Sequence, residues 1–349
     1  MMRAGHFKQS YPELVAFTDS TAVKVWTGIL LLACLALPAV AGPYFLTLAT
    51  TILITAIGVV GLNLLTGVCG LISLGQAGFL AIGAYTAGIV AVDYSLSIVP
   101  GMICGGLFAA LLSLLVGVPS LRLKGLYLAI TTLAFTVIAT HTILNLDWLT
   151  RGSAGLFLPA PTIFGFPLAT KAAFYYFSLV MAVLFVVAAM NIMRSRVGRA
   201  FAAIRDHDTA AEMMGINQVS YKLMAFAISA FFTGAAGALG AYQVRYINVD
   251  SFALLVSIEA LAMIIVGGLG SIAGAILGTI FMSLLPEVTR WLFDMLGSGL
   301  TEVFSTRALE VRGLLYGIVI VVVLRVQPDG LMGLWRDAKR LWSNWPFRY

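Results

Sequence analysis

Between Lys24 and Asp93 the chain carries no charged residue. Those 68 residues would run roughly 102 Å as one straight helix, against a bilayer hydrocarbon core of about 30 Å. A run of that length has to cross about three times. Its breaks are visible at Ala41-Gly42-Pro43 and at Thr66-Gly67-Val68-Cys69-Gly70. Proline has no amide with which to continue a helical ladder, and paired glycines accept turn geometry. Spans are therefore expected near 25–41, 44–65 and 71–92.

The rest of the sequence follows the same pattern. The gap from Tyr94 to Leu121 predicts a span near 98–118. Gly125–Leu146, Ala172–Met193 and Leu223–Val244 predict one each. Between Asp250 and Glu287 only Glu259 is charged, and Gly267-Gly268-Leu269-Gly270 divides that stretch into a hairpin. The last apolar run, Gly313–Leu324, is short. It crosses if Arg312 and Arg325 snorkel, and is re-entrant otherwise. The expected fold is an all-α polytopic helical bundle of about eight to ten transmembrane helices with broken or re-entrant Gly-rich segments. Composition agrees: 10% of residues are charged and 60% hydrophobic, where soluble domains are about 25% charged.

Ten crossings put both termini on one side. Fifteen of the 21 Lys and Arg residues then fall on the side of the N-terminus and six on the other. The positive-inside rule makes the fifteen cytoplasmic, with both termini. This gives a cytoplasmic N-terminal segment 1–24, a permease body 25–325 and a cytoplasmic tail 326–349. The net charge of +6 is read as basic cytoplasmic loops, with no nucleic-acid partner. Ala39-Val40-Ala41 resembles a signal-peptidase site, but its leader is long and carries Glu13 and Asp19, so the first span is read as retained. The three cysteines, Cys34, Cys69 and Cys104, lie in apolar runs without metal-ligand spacing and are expected to be small buried hydrophobes.

The longest expected inner loop, 194–222, alternates charge with Ala, Phe, Ile and Met. Ala200–Arg205 is helix-prone. Asp208 or Thr209 can cap a second short helix, and Thr209-Ala210-Ala211-Glu212 has capping-box spacing. Gly215 is a natural stop. Two short helices on the membrane face are expected, offering a docking surface for a partner.

The run Gly198-Arg199-Ala200-Phe201-Ala202-Ala203-Ile204-Arg205-Asp206, continuing through Ala210-Ala211-Glu212 to Met214-Gly215-Ile216-Asn217, resembles the coupling loop of the branched-chain amino-acid ABC permease family, LivM-type subunit. Asn63-Leu64-Leu65-Thr66-Gly67, Ser73-Leu74-Gly75-Gln76-Ala77-Gly78-Phe79 and Ile82-Gly83-Ala84-Tyr85 are similar to its early glycine-rich region. Val266-Gly267-Gly268-Leu269-Gly270-Ser271 with Gly274 is similar to its late one. The likeness covers roughly 44–335. The loop departs from the general importer EAA pattern: its order is Ala-Ala-Glu, with Gly215 three residues after Glu212. The resemblance implies a bacterial inner-membrane importer. It also implies a homologous second permease, two cytoplasmic ATPase subunits that bind ATP and Mg, and a periplasmic substrate-binding protein. The implied cargo is branched-chain amino acids or a related small amino acid or amide. ATPase coupling would fall to Arg199, Arg205, Asp208, Thr209, Glu212 and Gly215. No lysine follows a glycine anywhere, so the chain has no Walker A motif and no cofactor of its own is expected.

Pathway candidates are the polar groups and breaks inside the spans: Asn63, Ser73, Gly75, Gln76, Glu259 and Ser271. Gly70–Gly78 reads as a broken helix whose free amides meet a carboxylate. Glycines around 67–88, at 234, 237 and 240, and at 270, 274 and 278 are expected to bring helix backbones close. Glu259 is the one ionisable group deep in a span. A charge there costs about 2.5–3.5 kcal/mol on insertion scales, so it faces protein or water. It would be the coupling site in the alternative reading, an ion-coupled carrier or channel. No HExxH, GxSxG or metal cluster is present, so enzymatic activity is not expected.

Overall fold

The computed structural model describes residues 21–120, 125–163, 166–168, 170–296, 308–327 and 329–344. Most of the N-terminal segment, 1–20, and Arg122, Lys124, Arg307 and Arg348 of the charge tally lie outside the described residues. Helix α1 is Thr21–Val40. Helix α2, Pro43–Leu62, runs on into a π-helical turn, Asn63–Val68. There follow α3 Gln76–Asp93, α4 Ile98–Ser120, α5 Leu126–Asn145, the short α6 Asp147–Thr150, and α7 Lys171–Arg194. Then come α8 Arg196–Asp206, α9 Asp208–Met213, α10 Gln218–Val244, α11 Leu254–Gly267, α12 Ile272–Leu296, α13 Ala308–Val326 and α14 Gly330–Asn344.

Eight helices among the described residues are long and apolar enough to cross a bilayer. Two shorter apolar stretches, Gly28–Val40 and Gly313–Val323, join them. The chain is a multi-pass, all-α membrane protein. The expected break at Ala41-Gly42-Pro43 stands: Gly42 is extended and Pro43 opens α2, where its missing amide is no loss.

Three boundaries differ from the charge-gap reading. Residues 71–75 are not helical, and α3 begins at Gln76. Helix α12 does not stop at Glu287 but continues to Leu296. Tyr44, in the first turn of α2, donates a hydrogen bond to the Glu287 carboxylate. Helix α13 exceeds its apolar run at both ends. Cys69 is buried as expected, but Cys34 is half-buried and Cys104 exposed on α4.

Helix α10 is the hub, packing against α2, α3 and α4. The close approach depends on glycine. A Cβ built at Gly83 of α3 would lie 2.0 Å from the Gly234 carbonyl oxygen of α10. One at Gly105 of α4 would lie 2.7 Å from the Gly83 carbonyl oxygen, and one at Gly234 would lie 2.8 Å from that of Gly105. Three backbones thus touch at one point, which small residues permit in lipid. Helices α11 and α12 meet likewise, with a Gly278 Cβ position 1.9 Å from the Met263 carbonyl oxygen. Gly240 departs from the expectation: nothing lies within 4 Å of its Cβ position.

The two ends of the bundle are built differently. At one end lie the π turn, α8 and α9, the 268–271 turn, and α14, whose leading Gly330 abuts Gly268. At the other, strand Leu156–Phe157 pairs antiparallel with Tyr246–Ile247, tying the 147–170 connection to the end of α10. The Gln243 amide there reaches the Thr47 carbonyl and the Thr51 hydroxyl of α2.

Candidate functional site

The non-helical stretch between the π turn and α3 is held by side chains from distant helices. The Thr66 hydroxyl donates to the Leu71 carbonyl at 3.1 Å. The Leu74 amide donates to Thr132 Oγ1 at 2.9 Å, and Thr136 Oγ1 donates to the Leu74 carbonyl at 3.3 Å. The Ser73 hydroxyl is buried and accepts from the Gly75 amide at 3.2 Å. The Ala77 amide, free in the first turn of α3, donates to Ser257 Oγ of α11 at 2.9 Å. Gln76 is buried, and its Oε1 accepts from Thr233 of α10 at 3.1 Å. The broken helix expected at Gly70–Gly78 is therefore present as a non-helical stretch followed by a helix that starts at Gln76, with Gly75 at its cap.

Of the candidate pathway residues, Ser73, Gly75 and Gln76 come together here, ringed by Thr132, Thr136, Thr233 and Ser257. Sequence reading missed those four. Their signal was a hydroxyl recurring inside otherwise apolar spans. Glu259 is buried and engaged by a partner. It sits two residues, about 200° of helix rotation, from Ser257. It shares its row with Met263 and Gly267, the face packed on α12.

The buried polar pair at the head of α3 yields a prediction. Gln76→Leu leaves the Thr233 hydroxyl with only its bond to the Ser229 carbonyl, 2.9 Å away. One net hydrogen bond contributes about 0.5–1.5 kcal/mol. Thermal unfolding in detergent is expected to show a modest stability loss, while uptake falls further. Unchanged uptake at unchanged expression would remove Gln76 from the pathway.

Asn63 and Ser271 form a second group. Asn63 is 0% exposed at the start of the π turn. Its Nδ2 donates to the Ser271 carbonyl at 3.1 Å, and its Oδ1 accepts from the Gly270 amide at 2.9 Å. One side chain thus clamps the α11–α12 turn, and the role of Ser271 there is carried by its backbone.

The 194–222 loop folds as two helices, as expected, with different caps. Ser195 caps α8 through Val197 and Gly198 amides at 3.1 and 3.4 Å. His207 holds the cap position of α9 without a side-chain cap bond, so Asp208 and Thr209 lie inside the helix. The capping box does not form: the Thr209 amide donates to Asp208 Oδ1 at 2.9 Å, and Glu212 Oε2 accepts from Gln218 at 3.0 Å. Gln218 also donates to the Asp208 carbonyl at 2.7 Å and accepts from Lys222 at 3.0 Å. Glu212, Gln218 and Lys222 therefore brace α9 on the first turns of α10. Gly215 is the stop, with φ +83°. The Ile216 amide reaches the Ala211 carbonyl at 3.0 Å and the Gly215 amide the Glu212 carbonyl at 2.9 Å, a Schellman ending. Arg199 is exposed and donates to the Arg194 carbonyl at 3.2 Å. Arg205, exposed as well, reaches back to the π turn and donates to the Gly67 carbonyl. At the tip, Met213 and Met214 are 90% and 85% exposed.

A family model described as "Branched-chain amino acid transport system / permease component" matches residues 44–324. The chain belongs to this family. It is 32% identical to the high-affinity branched-chain amino acid transport system permease protein LivM of Escherichia coli strain K12, over 93% of this chain and 78% of that protein. The same identity and coverage of this chain hold for LivM of Salmonella typhimurium, with 79% of that protein covered. It is 25% identical to a probable branched-chain amino acid transport permease protein LivH of Methanocaldococcus jannaschii, over 52% of this chain and 54% of that protein. No solved structure matches.

Proposed function

We propose that this permease is one translocation subunit of an ATP-driven importer of branched-chain amino acids, or of a related small amino acid or amide. In this reading it lies in a bacterial inner membrane with both termini cytoplasmic. It pairs with a homologous second permease, takes substrate from a periplasmic binding protein and is driven by two ATPase subunits that bind ATP and Mg. The observation that carries the reading is the α9 tip. Two methionines stand almost fully exposed on a short helix that Gln218 fastens to α10. Exposed methionine on a rigid mount suits an adaptable apolar socket in a partner. The relatives' printed role as branched-chain amino-acid permeases supports the substrate class.

The test replaces both tip residues. Burying one such side chain contributes about 1.5–3 kcal/mol. Met213→Asp with Met214→Asp is therefore expected to lower ATPase co-purification at least about a hundredfold while the permease stays folded. Reconstituted uptake should follow added ATP and vanish without the ATPases. Full-rate uptake by the purified chain alone would overturn the reading. Uptake that tracks a proton gradient and ignores ATP would do the same and favour an ion-coupled carrier using buried Glu259.

A further inference from the structure

Arg205 was expected to serve ATPase coupling, and although the residue is exposed, its side chain lies against the π turn, Gly70 and the α11–α12 turn. It donates to the Gly67 carbonyl. A Cβ built at Gly70 would lie 3.0 Å from Arg205 Cγ, and one at Gly270 would lie 2.9 Å from its Nη1. Both glycines have positive φ, +78° and +80°. A side chain at either position would crowd the arginine where it lies.

Gly67 lies in the last turn of the helix that begins at Pro43. Carbonyls in a helix's last turn have no partner within it, and they carry the negative end of its dipole. The wider π spacing continues there, with the Cys69 amide reaching the Leu64 carbonyl at 3.2 Å. A guanidinium from α8 therefore caps α2 in trans. The same turn reaches the α11–α12 connection through Asn63, and a Gly67 Cβ position would lie 2.4 Å from the Gly270 amide nitrogen. Helix α8, the end of α2 and the start of α12 meet at one cation.

We propose that Arg205 is the positioning residue through which displacement of the α8–α9 loop moves the membrane helices, acting as a charged latch on the Gly67 carbonyl rather than as a contact to the ATPase. The inference rests on the ATP-driven reading above. A push on the α9 tip rotates α8, and Arg205 carries that rotation to the end of α2. From there it reaches the unwound stretch that leads to Ser73 and Gln76. Without the latch, α8 still seats a partner, but its motion is not passed inward.

The assembled transporter in proteoliposomes tests this, with ATP hydrolysis and uptake measured on the same sample. Arg205→Ala is expected to keep ATPase co-purification and hydrolysis while uptake per ATP falls about tenfold or more. Arg205→Lys restores the charge at the helix end but not the guanidinium fork, and is expected to recover part of that loss. Arg196→Ala removes an exposed cation from the same helix and controls for net charge; it should keep the wild-type ratio. If Arg205→Ala does not assemble, Arg205→Gln, a neutral donor, carries the test, and an intermediate ratio is expected. A wild-type ratio in Arg205→Ala, or in Arg205→Gln where that carries the test, overturns the latch. Loss of ATPase binding also overturns it, because Arg205 would then be a docking residue. Absence of ATPases from the wild-type complex is a different failure and sinks the importer reading instead.

Discussion

Gly83→Leu is expected to leave no folded permease in the detergent-soluble fraction, and Gly83→Ala to lower both yield and melting temperature. The reason is that the obstacle is backbone. A Cβ at Gly83 would meet the Gly234 carbonyl oxygen at 2.0 Å, its carbonyl carbon at 2.5 Å and its Cα at 2.5 Å. No rotamer change removes a contact with a helix backbone, so α3 and α10 have to separate. That separation cannot stay local, because Gly105 of α4 packs on the Gly83 carbonyl at the same crossing. Overpacking a tight core costs typically about 1–3 kcal/mol, and three helices share this site, so the alanine variant should fall at the upper end. Gly240→Ala is the matched control on the same α10 helix. Nothing lies within 4 Å of its Cβ position, and alanine favours helix over glycine by up to about 1 kcal/mol. It should melt at or slightly above the parent. Equal melting of Gly83→Ala and Gly240→Ala would mean that the three-helix contact does not set stability.

How well the fold could be read depended on whether the determining residue was local. Charge gaps find spans because an unpaired charge in lipid is costly wherever it sits. The breaks at Gly42-Pro43 and Gly267–Gly270 were legible because proline and positive-φ glycine act on their own backbone. Gly215 was legible for the same reason. The glycines of 70–78 showed a break, but the span drawn at 71–92 started α3 too early, since Leu71–Gly75 is as apolar as the helices beside it. The side chains that hold it are Thr132 and Thr136, 58 and 62 positions from Leu74. The length of α12 past Glu287 was not legible, because a charge marks a membrane boundary and not the end of a helix. Arg205 was placed in the docking loop with the other basic residues, and only the fold adds the carbonyl of Gly67, 138 positions away, that accepts from it.

Asn63→Leu is expected to be the most damaging exchange among the pathway candidates. The site is 0% exposed, so neither severed bond is replaced by water. The Gly270 amide and the Ser271 carbonyl lose a side-chain partner together, each at roughly 1–3 kcal/mol, or about 2–6 kcal/mol in all. Asn63→Asp separates the two contacts. It keeps the acceptor for the Gly270 amide, 2.9 Å away, but offers the Ser271 carbonyl no donor unless the acid is protonated. Thermal unfolding should therefore rank parent above Asn63→Asp above Asn63→Leu. The Asp variant should recover as pH falls, because only the neutral acid can donate. A second comparison asks whether the clamp and the latch act as one body. Asn63 holds Gly270 from one side, and the guanidinium of Arg205 lies against Gly270 from the other. Two groups sharing a turn should not add. If Arg205→Ala removes the route to uptake, adding Asn63→Asp should lower uptake per ATP little further, while the melting losses still accumulate. Full additivity in uptake would separate the two residues, leaving Asn63 a structural brace and Arg205 without the turn as its lever.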